Sequence, residues 1–267
     1  MNQRTFEVEG GGAPAQPVLE IEGLVVAYGS VRAVDAVSFR VCAGEVVGLL
    51  GPNGAGKTSI LSAVEGLVAP RAGRVAVAGR DIRQHPVAAR AQLGVQLQHT
   101  AFQPDLTLAQ LIKLYAGLQG CRLDAAGVRQ GLNRVGLGEL ASRRFGQLSG
   151  GQQQRLALLA ALIHEPALAL LDEPTTGLDP QSRRELWDRI SGLVGRGTGV
   201  VLTTHSMEEA AALASRLVIL HRGRVRATGT PEDLVAQFQS DPAVRRVAHG
   251  QPTLEDVFLA LTGGAEQ

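Results

Sequence analysis

Gly51-Pro52-Asn53-Gly54-Ala55-Gly56-Lys57-Thr58 decides how this chain is read. The stretch fits G-x-x-x-x-G-K-[ST], the phosphate-binding loop. Glycines leave no Cβ atoms to keep backbone N–H groups from closing around phosphate, Lys57 can reach the β- and γ-phosphates, and Thr58 offers a hydroxyl to Mg²⁺. The flanks agree: Glu45-Val46-Val47-Gly48-Leu49-Leu50 reads as a buried strand, and Lys57 to Leu67 as a helix. A strand feeding a loop that opens a helix sets the phosphates on the positive end of the helix dipole.

With 267 residues the chain can form one large domain, or one domain carrying a subdomain. Its 26 basic and 25 acidic residues nearly cancel, to a net charge of +1, so no field points to nucleic acid. Cys42 and Cys121 lie far apart without C-x-x-C spacing, which suggests neither a disulfide framework nor a zinc site and fits a reducing cytosol. The longest apolar runs, Leu156 to Ile163 and Ala167 to Leu171, fall short of the roughly 20 residues a membrane helix needs. Residues 1–17, with Gly10-Gly11-Gly12 and mixed charge, read as a flexible leader and not a signal peptide.

Val18 to Val41 alternates apolar and polar residues around a Tyr28-Gly29 turn, predicting a small β-layer. Tyr28 fits either a ring that stacks on adenine or a packed edge-strand residue. Leu93 to Gln98 predicts a strand ending in glutamines, where Gln98 is either a solvated strand end or a ligand of Mg²⁺ or the attacking water. From Thr107 to Gln147 helical spacing takes over, with Leu108, Leu111, Ile112, Leu114 and Tyr115 on one helix and shorter helical pieces over Asp124 to Gly136 and Glu139 to Arg144.

That helical insert ends in Leu148-Ser149-Gly150-Gly151-Gln152, with Ser149 placed to cap a helix running to His164. A cap explains Ser149 and not two successive glycines, whose bareness helps only where something approaches closely; an anion is the obvious candidate. Ala167 to Glu173 is an apolar strand ending in two carboxylates, which are costly to bury unless paired or metal-bound. Beside a phosphate loop the roles divide: Asp172 for Mg²⁺, Glu173 to orient and deprotonate water. Asp179 before Pro180 caps the next helix, and Gly199 to His205 is a buried strand whose His205 lies at the same end as Asp172. A helix is expected over Pro231 to Phe238, and in the tail Thr253 and Asp256 open another carrying Leu254, Val257, Phe258 and Leu261 on one face.

Together these residues resemble the ATP-binding subunit of an ATP-binding-cassette transporter, from about Val18 onward: Tyr28, the loop Gly51 to Thr58, Gln98, Leu148-Ser149-Gly150-Gly151-Gln152, Asp172-Glu173, Asp179 and His205 all match in order. The resemblance implies an α/β fold, a mainly parallel P-loop NTPase sheet flanked by helices, with an N-terminal antiparallel β-layer and an inserted helical subdomain. It implies an ATPase domain over residues 18–240, the helical subdomain at about 100–165, and a docked helical tail over 241–267. ATP and Mg²⁺ are the implied cofactors, with Ser59 beside Thr58 at the phosphates, Thr58, Gln98 and Asp172 at the metal, and Glu173, His205, Lys57 and Gln98 in catalysis. Tyr28 would stack on adenine. Ser149, Gly150, Gly151 and Gln152 would bind the nucleotide of a second copy, with Asp179 lining that interface.

Leu97 departs from the pattern, since many relatives place proline there, which bears on how Gln98 moves. The tail Pro252 to Leu261 and the run Thr203 to Ala210 are similar to drug- and antibiotic-resistance exporters of the ABC-2 class. The expected partners are a second copy, head to tail, and separate transmembrane permease subunits, with the chain at the cytoplasmic face of the cell membrane and no nucleic acid bound. An importer subunit and a soluble ATP-driven switch are the competing readings. A neighbouring binding-protein gene would favour the first, and co-purification with ribosomes the second.

Overall fold

The computed structural model describes residues 16–96 and 102–263. In chain order the elements are β1 Pro17–Tyr28, β2 Val31–Cys42, β3 Val46–Leu50, α1 Lys57–Val64, β4 Ala72–Val77, β5 Arg80–Asp81, α2 Pro86–Arg90 and β6 Leu93–Gln96. Then come α3 Leu108–Leu118, α4 Ala125–Arg134, α5 Gly150–Leu162, β7 Leu168–Asp172, α6 Pro180–Val194, β8 Gly199–Thr203 and α7 Met207–Leu213. The chain closes with β9 Arg216–His221, β10 Arg224–Gly229, α8 Pro231–Phe238, α9 Pro242–Val247 and α10 Leu254–Thr262.

Two sheets form. The larger has the order β10-β9-β3-β8-β7-β6, parallel from β9 to β6 and antiparallel only at β10. Its inner strands are continuous apolar runs because both faces are covered. The smaller sheet, β2-β1-β4-β5, is antiparallel throughout, and its alternating residues bury one face. The α/β architecture expected from the loop and its flanks is therefore present.

Three apolar clusters hold these layers. One lies between the two sheets around α1, with Leu19, Val37, Val47, Ile60 and Leu170. The second fills the opposite face of the large sheet under α6, α7, α8 and α10, with Leu50, Leu171, Leu186, Leu217 and Leu254. The third belongs to the helical insert, where Phe102 meets Tyr115 and Phe145 edge-on at 4.9 and 5.1 Å, above Leu111, Leu132 and Leu156. Helix α5 contributes to the second and third clusters, through Leu158 and through Leu156 and Leu159, and so ties the insert to the core. Glu139 to Arg144 is not the helical piece its spacing suggested: only Gly138–Leu140 makes a 3₁₀ turn, and the Ala141 and Arg143 carbonyl oxygens beyond it accept the Ala109 and Leu108 N–H groups at the start of α3 instead of continuing a coil.

Candidate functional site

The carboxyl ends of the parallel strands β3, β7 and β8 point to one cavity of about 820 Å³. It is lined by Gly51, Pro52, Asn53, Gly54, Ala55, Gly56, Lys57, Thr58 and Ser59, with Asp172, Glu173 and His205 facing them. Ligands gather at such strand ends where neighbouring connections diverge, and β3 supplies that point by sitting between β8 and β9. Gly56 caps α1 at φ 106° with no side chain bonded to the first turn, so that turn's N–H groups face the cavity without a competing cap. A Cβ there would stand 2.6 Å from the Ala33 carbonyl oxygen, so both the dihedral and the space require glycine.

Lys57 folds back on its own loop, its Nζ donating to the Gly51 carbonyl at 2.5 Å and to Pro52 at 3.2 Å. Burial pushes the ammonium below the usual lysine range, while the Glu173 and Asp172 charges pull it up. A phosphate entering the loop would replace those two carbonyls with stronger, charged acceptors.

Asp172 is oriented by the Thr203 hydroxyl, which donates to its Oδ1 across the β7–β8 pair. Glu173 has a left-handed backbone, φ 47°, unusual for a residue with a Cβ. Two bonds hold it there: its N–H donates to the Thr203 carbonyl oxygen at 3.1 Å and to the Thr203 Oγ1 at 3.1 Å. Thr176 Oγ1 donates to Glu173 Oε2 at 3.2 Å, and His205 Nδ1 lies 3.5 Å from Oε1 with 69 % of its side chain exposed. A carboxylate so aimed can accept a proton from water, and an exposed imidazole beside it can meet a phosphate oxygen. Thr58 and Asp172 bring hard oxygen donors to this one cavity. Such a pair suits Mg²⁺, which keeps several waters and is usually bound by one or two carboxylates plus substrate phosphates.

The other predicted residues are not in this cavity. Ser149 and Gln152 form a reciprocal capping box at the start of α5, with N–H to side-chain distances of 3.3 and 3.0 Å, and Ser149 and Gly150 are exposed. The bareness of Gly151 has a reason within the chain, since a Cβ there would meet Ser182 Oγ at 2.7 Å. Gly150 has nothing within 4 Å of its Cβ position, so only that glycine is left without a packing explanation. Asp179 caps α6 through Gln181 and Ser182 N–H groups at 3.0 Å, and the Ser182 hydroxyl donates to it at 2.6 Å. Ser182 thus holds Asp179 and the start of α5 as one unit, which Gln154 ties to the turn after β7 by donating to the Pro174 carbonyl at 2.6 Å. Tyr28 does not line the cavity and stands half-exposed at the β1–β2 hairpin, opposite Val31. Gln98 lies outside the described residues, as does most of the N-terminal leader.

A second concavity, about 570 Å³, opens between the insert and the core, lined by α2, α3, β6 and α5. Of the six large apolar residues exposed among those described, three line it: Leu67, Val87 and Leu118, each at least 70 % exposed. In its wall sits Glu65, its carboxyl pushed up to about 7 by burial and then by Asp172. An acid that binds its proton more tightly when folded loses stability as pH rises from its ordinary value of 4.5 to about 7, and is flat above. Glu65→Gln should therefore match the parent near pH 4 and exceed it by about 1 kcal/mol at pH 8, after discounting for solvent screening. Paired urea melts at the two pH values measure this, and a pH-independent difference would contradict it.

Two cavity residues, Ala33 and Phe258, gave no signal as ligands in the sequence. Phe258, on the apolar face of α10, lines the phosphate cavity with Glu173 and His205. Nothing in its spacing distinguishes it from Leu254 or Leu261, so its place emerges only when the tail folds back.

A family model described as ABC transporter matches residues 34–176. The chain is 41 % identical over 253 residues to a daunorubicin resistance ATP-binding protein of Streptomyces coeruleorubidus, covering 93 % of this chain and 80 % of that one. It is 40 % identical to a Nod factor export ATP-binding protein of Paraburkholderia xenovorans, covering 83 % and 73 %. Against a probable multidrug ABC transporter ATP-binding protein of Escherichia coli the identity is 38 %, over 94 % of this chain and 42 % of that protein. Among solved structures, an ATP-binding subunit of an ABC transporter superposes with a TM-score of 0.79 at 30 % identity, over 91 % of this chain and 99 % of that one.

Proposed function

This chain belongs to the ATP-binding-cassette transporter family as an ATP-hydrolysing subunit, and from that premise we propose that two copies close head to tail on two ATP molecules to drive export through a separate membrane protein. The observation that carries the reading is a mismatch of parts. One cavity has a phosphate loop, a helix start, a lysine and two acids, while a second glycine-opened helix start, exposed although capped by Ser149, lies elsewhere at Ser149 to Gln152 with Asp179 beside it. Each presents helix N–H groups to an anion, uncapped at Gly56 and at Gly150 and Gly151 ahead of the bonded Gln152, so a second copy's Ser149 to Gln152 is the natural cover for the γ-phosphate. The names of the similar proteins, for drug resistance, multidrug transport and Nod factor export, favour export over import.

Chemistry then follows from position and charge. Loop N–H groups and Lys57 hold the phosphates, Glu173 takes a proton from the in-line water, and His205 donates toward the γ-phosphate. On this reading Tyr28 is assigned to the adenine ring and Gln98 to the water or metal. Mg²⁺, when bound, neutralises phosphate charge, and Thr58 with Asp172 would hold it.

No described helix is long and apolar enough to cross a membrane, and on this reading the work is passed to a membrane partner at the cytoplasmic face. The groove at Leu67, Val87 and Leu118 is the docking surface for it, because apolar side chains this exposed along one concavity mark an interaction site. An anchor lost from such a surface costs about 2 kcal/mol or more, roughly 30-fold in affinity. Val87→Asp with Leu118→Asp should release phosphate from ATP at the parent's basal rate. In detergent extract the variant should fail to retain the membrane protein recovered with the parent chain. Equal loss of basal hydrolysis and retention would remove the groove from the docking role.

A further inference from the structure

The phosphate cavity has one wall that phosphate chemistry does not ask for. Phe258 comes from α10, near the end of the described chain, yet its ring borders the same space as Glu173 and His205. A helix cap and apolar packing fix its place. Thr253 and Asp256 fix the start of α10 by a capping box, the Asp256 carboxylate accepting the Thr253 N–H at 2.8 Å and its hydroxyl at 2.7 Å. Leu254 and Val257 are then buried, while Phe258 and Leu261 are partly buried against the cluster of Ala210, Leu217, Ile219 and Leu234.

Helix α10 also packs on α7, the helix that begins directly after His205 with Ser206 as its cap. His205 itself is held loosely, by one contact of 3.5 Å to Glu173 and with most of its side chain in solvent. A half-buried aromatic ring beside this pair limits where the imidazole can turn and keeps bulk water from the Glu173 carboxylate, which strengthens the charges that act there. Core packing alone would be served by a fully covered aliphatic residue, as at Leu254 and Val257.

We propose that Phe258 is a positioning residue for hydrolysis, an apolar wall that aligns His205 with Glu173, so that the C-terminal helix is a working part of the nucleotide site. The proposal rests on the assignment of Glu173 and His205 made above. Misplacing a catalytic group by about 1 Å can cost up to roughly 10²-fold. F258L, which keeps the aliphatic packing and loses the ring, should lower kcat about tenfold with KM for ATP changed by less than about threefold. F258Y, which keeps the ring, should recover most of the rate.

The assay is phosphate release by the full chain over a range of ATP concentrations, with thermal melts to show that each variant is folded. Parent-like kcat in F258L overturns the proposal. So does an equal loss in F258L and F258Y, which would make the effect one of volume and not of the ring. Failure of the underlying assignment reads differently, as retained turnover when Glu173 itself is replaced.

Discussion

Glu173→Gln should bind ATP as the parent does and turn it over roughly 10²- to 10⁴-fold more slowly, the usual cost of removing a general base, the role proposed for Glu173. Glutamine keeps the length of the side chain and can still accept a hydrogen bond from Thr176, now at 3.2 Å, but it cannot take a proton from water. The backbone is unaffected, because the left-handed φ of 47° and the two bonds to Thr203 involve only main-chain atoms of residue 173. The defect should therefore appear in kcat alone. If the pair closes on ATP as proposed and opens when ATP is consumed, the variant should accumulate as a dimer in ATP and return to monomer in ADP. Size-exclusion chromatography with light scattering separates the two states. Near-parent turnover would mean that another group activates the water, and His205, 3.5 Å away, would be the first to test.

Much of this site was legible because each part has a local cause. The buried strands β3, β7 and β8 are short apolar runs that end in the residues that matter, and α8 begins at Pro231 and ends at Phe238 as its spacing predicts. Elements with weak local causes were not legible. β10 alternates exposed and half-buried residues with arginine at Arg224 and Arg226, and it exists because β9 offers an edge to pair with. α2 and α9 are each a turn or so long, with only Ala89 and only Val244 buried, too little for a period to show.

The same distinction separates residues within the site. Asp172, Glu173 and His205 announce themselves by standing at the ends of apolar strands. Glu65 follows the last turn of α1 like any solvated acid, and becomes a perturbed carboxyl only when α2, α3 and α5 close a groove over it. Gly151 reads as a ligand's glycine and is also a packing glycine, because α6 brings Ser182 against it. Sequence spacing reports what a residue does to its own element. It does not report which distant element will arrive beside it, as Phe258 does beside His205.

The head-to-tail pairing yields the second large effect, and it is one of rescue. Lys57→Ala removes the cation that reaches the phosphates, and Gly150→Asp sets a carboxylate where an anion would approach an exposed, uncrowded helix start. Each variant alone should lose hydrolysis nearly completely, the first by failing to bind nucleotide and the second by failing to close on it. Mixed, they should recover. In a mixed pair one site combines both defects, while the other joins the intact loop of the Gly150→Asp chain to the intact Ser149 to Gln152 of the Lys57→Ala chain. With random pairing half the dimers are mixed and each has one of two sites, so activity should return to roughly a quarter of the parent's. If loop and signature instead served one site within a single chain, no mixture could help, because every chain would carry a defect in its only site. Phosphate release measured across mixing ratios, with a maximum near equal amounts expected, decides between the two geometries; a mixture as inactive as its components would exclude the shared site.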